Sequence, residues 1–333
     1  MKSVLKTIKI NNLELRNRLI FAPAATYMCD INGNITDKTL EYYHDRTVDR
    51  SFGLVVIEHS YVDIKGRNRR VQLSVSKDSD IPSLKKLSTV IHNNDTPVLV
   101  QINHCGAAMF VEEATKNDIA YSASAIHNDR FKKDSISMSK KDIKEVIDSF
   151  AKAAYRVQES GFDGVEIHCC HGYLLNQFLS PKTNKRTDEY GGSLENRARL
   201  LLEVTKAVKE KVRKDFIVSV RIVGTDIVDG GIDAEEVAKI VPDLCKLGVN
   251  MLSVSGGIGG YIIPGKENVE GYFAPYAKVI KDASSVPIVL TGGFKTLEKA
   301  SDFIDNNIAD LIGVARSVIA DSHWAKKEII KLK

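Results

Sequence analysis

Cysteine is scarce and unframed in this chain. Its five cysteines, at 29, 105, 169, 170 and 245, are odd in number and follow no regular spacing. That sets aside a disulfide-stapled secreted domain and favours reduced thiols in a cytoplasmic protein. No apolar run approaches the roughly 20 residues of a membrane span. The opening stretch "MKSVLKTIKINNLELRNRL" has neither the continuous apolar core nor the cleavage site of a signal peptide. Long basic runs are missing too: 47 Lys and Arg interleave with 43 Asp and Glu for a net charge of +4. Neither nucleic acid nor a membrane is therefore expected as a partner. Nucleotide fingerprints are equally absent. "APAATYMCD" offers no G-x-G-x-x-G behind the first apolar run, "SGGIGGY" (255–261) fails that spacing, and there is no P-loop.

What the chain does have is enough apolar residues, 43% of 333, for a large core. Val- and Ile-rich runs of strand length recur at 17–24, 53–58, 97–102, 163–168, 216–222, 249–255, 286–291 and 309–315. Between them lie segments of helical period. In "SLENRARLLLEVTKAVKEKV" one stripe runs through Leu194, Ala198, Leu201, Leu202, Thr205, Val208 and Val212, with Ser193 as cap. In "DAEEVAKIVPDLCKLG", Asp233 and Glu236 have capping-box spacing, Gly248 suits the stop, and Pro242 should kink the helix. Strand and helix alternating eight times predict an α/β fold, a single (β/α)8 TIM barrel over residues 1–333. The irregular segment 103–138 is expected to be an insertion after the third strand, a hairpin or a lid over the mouth.

Barrel function sits at the C-terminal strand ends, and the period of two tells which side chains face in. In "IVSVRI" the outward set is Val218, Val220 and Ile222, so Ile217, Ser219 and Arg221 point inward. In "DGVEIH" the inward set is Gly164, Glu166 and His168. In "PVLVQI" it includes Gln101. An amide, an imidazole and a guanidinium therefore converge at one end, either as a ligand site or as a polar cluster that closes the barrel. The last two strands end in "TGGF" (291–294) and "GVARS" (313–317). Gly292 and Gly293 let backbone approach a phosphate and Arg316 adds a charged fork, although simple turn glycines would look the same.

"HCCHGYLLNQFLSP" (168–181) crowds two histidines, two cysteines and a tyrosine at the fourth strand's end. No metal is expected there, because consecutive residues leaving a strand do not readily face one tetrahedral centre and no second Cys or His pair completes a set. A vicinal Cys169–Cys170 disulfide would be strained. The remaining reading is a polar clamp, in which His168 and His171 donate to one substrate oxygen and Tyr173 offers a phenol proton.

"GFDGVEIHCCHGYLLNQFLSPKTNKRTDEYGGSLENRARLLLEV" closely resembles the signature of the Old Yellow Enzyme family of FMN-dependent NADH:flavin oxidoreductases. The likeness extends through "LRNRLIFAP", "VVIEHSYV", "LVQINHCG", "SVRI", "TGGF" and "GVARSVIAD". It implies an α/β barrel with FMN at its mouth and NADH or NADPH as co-substrate. By position, the resemblance puts the backbone of Pro23, Ala24 and Ala25 along the flavin edge and a backbone contact at His59. It puts Gln101 on the pyrimidine edge, Arg221 near N1 and C2=O, and Gly292, Gly293, Ala315 and Arg316 on the phosphate. His168 and His171 would bind the carbonyl of an α,β-unsaturated substrate. Tyr173 would protonate its α-carbon while flavin N5 gives hydride to the β-carbon. Tyr27 matches a substrate-contacting tyrosine of one bacterial branch.

The implied function is an ene-reductase with ping-pong turnover on a small-molecule alkene, and family likeness alone suggests a homo-oligomer. The rivals are an FMN-holding electron-transfer subunit that serves a partner protein and a flavin-free barrel lyase. Departures stand out. Ala25 replaces a frequent Cys or Thr, Ala315–Arg316 replaces Gly-Arg, and "HCGAA" has Ala107 where an Arg is usual. Larger relatives resembling 2,4-dienoyl-CoA reductase add an iron–sulfur cluster and a nucleotide-binding half. With no Cys cluster after Cys245, electrons are expected to reach FMN directly or from a partner protein.

Overall fold

The eight Val- and Ile-rich runs close on one another. In the computed structural model, which describes residues 2–110, 119–128 and 132–332, they form a closed barrel. Its parallel strands follow chain order: Leu19–Phe21, Leu54–Tyr61, Val98–Asn103, Gly164–Cys169, Ile217–Thr225, Met251–Gly256, Ile288–Leu290 and Leu311–Val314, the last pairing with the first. Each overlaps one of the runs predicted from sequence. Both faces are buried, which is why β-branched residues fill these segments almost without interruption.

The barrel interior is layered by the strand period. At its N-terminal end Ile20, Leu54, Val56, Leu99, Ile217, Met251, Val289 and Leu311 form an apolar plug. It is closed from below by Ile10 and Leu15 of a hairpin, Ile8–Ile10 with Leu13–Leu15. Two residues further along the strands the inward positions turn polar: Gln101, Glu166, Ser219 and Ser253. Two further again they are His168, Arg221 and Ser255. Strand register sets these side by side, with Gln101 opposite Glu166, Ser219 opposite Glu166, and Arg221 opposite His168. Burial of the apolar layer stabilises the fold by about 2 kcal/mol or more per side chain, and the polar layers lie on top of it.

The helices begin where the sequence places caps. Ser193 Oγ accepts from Asn196 N–H at 3.3 Å at the start of Leu194–Lys211. Asp233 Oδ1 accepts from Glu236 N–H at 2.9 Å at the start of Ala234–Lys246. That helix continues through Pro242 to Lys246. The insertion after the third strand differs from a simple hairpin. Ala120–Ser122 pairs parallel, and His127–Asn128 antiparallel, with Lys133–Ser137. Residues 111–118 and 129–131 of this insertion, and with them the expectation of a lid, lie outside the described residues. No helix among the described residues is long and apolar enough to cross a membrane.

Candidate active site at the barrel mouth

The buried middle layer supports the site from below. Gln101 Nε2 donates to Glu166 Oε1 at 2.8 Å and Ser219 Oγ to Glu166 Oε2 at 3.5 Å. Burial raises the Glu166 carboxyl above its ordinary value, while the nearby Arg221 guanidinium pulls the other way. Arg221 is buried. Its Nη2 donates to Ser255 Oγ at 3.3 Å, and its Nε is buried with no hydrogen-bond partner.

Above this layer the fourth strand ends in the His168–Tyr173 turn. His171 (φ +59°) and Gly172 (φ +77°) are both left-handed, so the chain folds back on itself. Gly172 N–H is held by Asn176 Oδ1 at 2.8 Å, and Asn176 Nδ2 in turn donates to Asp226 Oδ1 at 3.0 Å. The reversal gathers three rings. His168 lies 5.0 Å from His171 and 4.9 Å from Tyr173, centroid to centroid, both edge-on. His171 Nε2 meets Ser255 Oγ at 2.7 Å. His168 Nδ1 meets Cys170 Sγ at 3.4 Å. Burial pushes the Cys170 thiol up, so it keeps its proton; with S–H as donor to Nδ1, the His168 ring proton sits on Nε2. Burial, then the charges of His171, Arg221 and His59, hold His168 well below the ordinary imidazole value, as a neutral donor.

The argument from consecutive residues against a metal fails here. His168, Cys170 and His171 offer ligand atoms within 4.8 Å of one another, because the left-handed pair turns His171 back. What weighs against a cation is Arg221, whose guanidinium adjoins the Cys170 sulfur.

Three further walls complete the mouth. After the first strand, Thr26 N–H and Oγ1 donate to the two oxygens of buried Glu58 at 2.9 and 2.5 Å, which anchors the segment carrying Pro23, Ala24 and Ala25. Near the end of the second strand comes His59, with its ring 5.5 Å from Tyr173. Gln72 Nε2 donates to His59 Nδ1 at 2.8 Å and to its carbonyl at 3.2 Å, so a ring contact joins the backbone role expected at this position. On the far side Gly292 (φ +132°) and Gly293 (φ +71°) leave no room for side chains. A Cβ on Gly293 would lie 2.7 Å from Arg316 Nη2, which itself donates to Tyr272 Oη at 3.0 Å.

All the residues named from sequence line one cavity of about 470 Å³: Pro23, Ala24, Ala25, Tyr27, His59, Gln101, His168, His171, Tyr173, Arg221, Gly292, Gly293, Ala315 and Arg316. The sequence profile of the NADH:flavin oxidoreductase / NADH oxidase family matches residues 3–331. The chain belongs to that family. It is 32% identical over 333 residues to an NADPH dehydrogenase of Listeria welshimeri, covering 100% of this chain and 96% of that one. It is 32% identical over 323 residues to an NADH oxidase of Thermoanaerobacter brockii, covering 96% of this chain but 49% of the relative. Among solved structures, the complex of 2-naphthoyl-CoA reductase with 2-naphthoyl-CoA superposes with a TM-score of 0.92 at 29% identity, over 100% of this chain and 52% of that one. The chain thus spans about half the length of those two larger relatives. The Old Yellow Enzyme homologue from Zymomonas mobilis shares the fold, with a TM-score of 0.86 at 24% identity over 99% and 93% of the two chains.

Membership makes FMN the resident cofactor of this flavoprotein, and the cavity fits it. Arg221 lines the cavity and offers a guanidinium to an electron-rich ring edge, and the side-chain-free Gly292–Gly293 stretch beside Arg316 leaves backbone open to a phosphate. Arg69, Phe110, Ser255, Tyr261 and Tyr272 also line the cavity and went unread in the sequence. All but Ser255 sit on loops, where no period marks direction. Ser255 was legible, since the inward alternation runs from Met251 through Ser253 to it.

Proposed function

We propose that this protein is an FMN-dependent oxidoreductase that reduces the activated C=C bond of α,β-unsaturated carbonyl compounds with NADH or NADPH. The observation that carries the reading is the ring cluster of His168, His171 and Tyr173 at the open end of a cavity with an FMN-compatible floor. When bound, FMN accepts a hydride from the nicotinamide and supplies it to the alkene. The protein's part is binding, orientation and proton management. Arg221 and Gln101 would hold the pyrimidine edge, and the guanidinium stabilises negative charge that gathers there. Gly292, Gly293, Ala315 and Arg316 would hold the phosphate, and the backbone of Pro23, Ala24 and Ala25 the flavin edge.

His168, with its proton on Nε2, and His171 donate to the substrate carbonyl oxygen, drawing electron density from the β-carbon. Tyr173 Oη holds the proton for the α-carbon. Its ring lies against the buried, neutral imidazoles of His59 and His168. Tyr27 would border the substrate.

The purified protein should be yellow and bleach with NADH or NADPH under anaerobic conditions. Tyr173→Phe should slow alkene-dependent reoxidation by about 10²–10⁴-fold while leaving the nicotinamide step within about twofold. His168→Ala should weaken enone binding and turnover together. Unchanged reoxidation in the double variant removes the assigned roles, and a colourless protein removes the reading.

A further inference from the structure

We infer that Glu166 is a positioning residue for the cofactor: its buried carboxylate fixes the Gln101 amide and offsets the charge of Arg221, which lowers the reduction potential of bound FMN. The inference rests on the placement of Gln101 and Arg221 along the flavin edge proposed above, and not on the alkene reaction.

Glu166 lies one inward position below His168 on the fourth strand, between Gln101 of the third strand and Ser219 of the fifth. It is buried beneath the cavity and does not line it. Its two oxygens serve two neighbours. Oε1 accepts from Gln101 Nε2 at 2.8 Å, and Oε2 faces Ser219 Oγ at 3.5 Å. A Gln101 amide that commits its nitrogen to Glu166 leaves its carbonyl oxygen as the acceptor for a ligand in the cavity that Gln101 lines. An acceptor there suits the ring N–H that stands between the two carbonyls of a flavin's pyrimidine edge.

Charge is the second part. Among the described residues no aspartate or glutamate lines the cavity, whereas Arg221 does. A counter-charge for this buried guanidinium has to come from the layer below, where Glu166 sits. Arg221 Nη2 donates to Ser255 Oγ and not to the carboxylate, so Glu166 acts on it through the field. A guanidinium without that offset would stabilise negative charge on the reduced flavin more strongly and hold back its hydride.

The plainer reading is a neutral carboxylic acid that fills the polar layer. The contacts favour the ion. With Gln101 donating to Oε1, an acid proton would sit on Oε2, and its partner Ser219 Oγ is 3.5 Å away, beyond a good O–H···O bond.

Two substitutions separate the parts. Glu166→Gln removes the charge and still offers a carbonyl oxygen to Gln101. Glu166→Asp keeps the charge and withdraws it from Gln101 by one methylene. Apoprotein is titrated with oxidised FMN, and the potential of the holoenzyme is measured against a redox dye at pH 8, well above the ordinary glutamate value of about 4.3. Glu166→Gln should favour the reduced flavin by about tenfold, about 30 mV upward for a two-electron couple. Its affinity for oxidised FMN should stay within about twofold. Glu166→Asp should shift the potential by less than half as much and weaken oxidised FMN by about three- to tenfold. A side chain kept only for packing would lower affinity or stability in both variants and raise the potential in neither.

An unchanged potential in Glu166→Gln, or an unchanged FMN affinity in Glu166→Asp, would overturn the inference. Should Glu166→Gln fail to fold, Glu166→Asp decides alone, because a full tenfold shift despite the retained charge would also overturn it. Gln101→Leu and Arg221→Lys in the same assays keep the two readings apart. If these two weaken FMN or move its potential while the Glu166 variants do nothing, the flavin placement stands and this inference falls. If none of the four changes either quantity, the placement falls with it.

Discussion

His59 shows how a single ring is set by its neighbours. Gln72 Oε1 accepts from Asn68 N–H at 2.7 Å, which fixes the amide so that its Nε2 donates to His59 Nδ1 at 2.8 Å. His59 must then carry its proton on Nε2. Burial and the charge of Arg69 hold it neutral, lowered from 6.5 to about 4. Between those values the unfolded chain binds a proton that the folded chain refuses. Stability is thus intact above pH 6.5 and declines as the pH falls toward about 4. At about 1.4 kcal/mol per unit, His59 alone removes up to about 3 kcal/mol. Denaturant unfolding at pH 7 and pH 4.5 should show this loss, and His59→Gln should shrink it. Gln72→Leu strands Asn68 N–H and frees the ring, and should cost about 1–3 kcal/mol at pH 7 by the same measurement.

At the scale of elements, two buried side chains tie the loops that carry the clamp. Asp226 accepts from Asn176 Nδ2 at 3.0 Å, Ile258 N–H at 3.0 Å and Ile232 N–H at 2.9 Å, joining the loops that follow the fifth and sixth strands to the helix after Tyr173. Gln177 spends all its capacity. Its Nε2 donates to Cys105 O at 3.1 Å and Gly172 O at 2.6 Å, and its Oε1 accepts from Ala107 N–H at 3.1 Å and Ser122 Oγ at 3.0 Å. Asp226→Ala should cost about 3 kcal/mol or more, because three donors lose a buried carboxylate. It should also lower alkene turnover more than flavin affinity, because the Gly172 turn loses its tether. Calorimetry and a flavin titration on one preparation check both. Gly172→Ala is milder. The nearest atom to its Cβ is 3.5 Å away, so only the left-handed backbone (φ +77°) opposes it, at about 1 kcal/mol. Gly106→Ala would drive a Cβ well inside van der Waals contact with Gln177 Oε1 and break that hub.

For the whole molecule, the apolar plug and the flavin cavity occupy opposite ends of one barrel, and the cavity end carries buried polar groups that a ligand would satisfy. Removing FMN should lower the unfolding temperature, and adding it back at about 100 times its Kd should restore about 2.7 kcal/mol. Leu99→Ala in the plug should cost about 2–5 kcal/mol while leaving flavin affinity intact, since it lies two positions below Gln101. Thermal melts with and without FMN separate these effects.

The barrel was readable because strand burial is local. A run such as "PVLVQI" reports its buried length by composition and its inward face by alternation, so Gln101, His168 and Arg221 could be placed at one end before any contact was known. Caps at Ser193 and Asp233 are equally local. Loops carry no such period. Arg69 and Tyr272 meet the site only because barrel closure brings the ends of distant strands together, and Cys170 touches His168 only because the chain reverses through a left-handed His171. Short-range order thus dictated the scaffold and its inward polar rim. Which loop side chains reach that rim depended on contacts between residues far apart in the chain, and those exist only once the ring has closed.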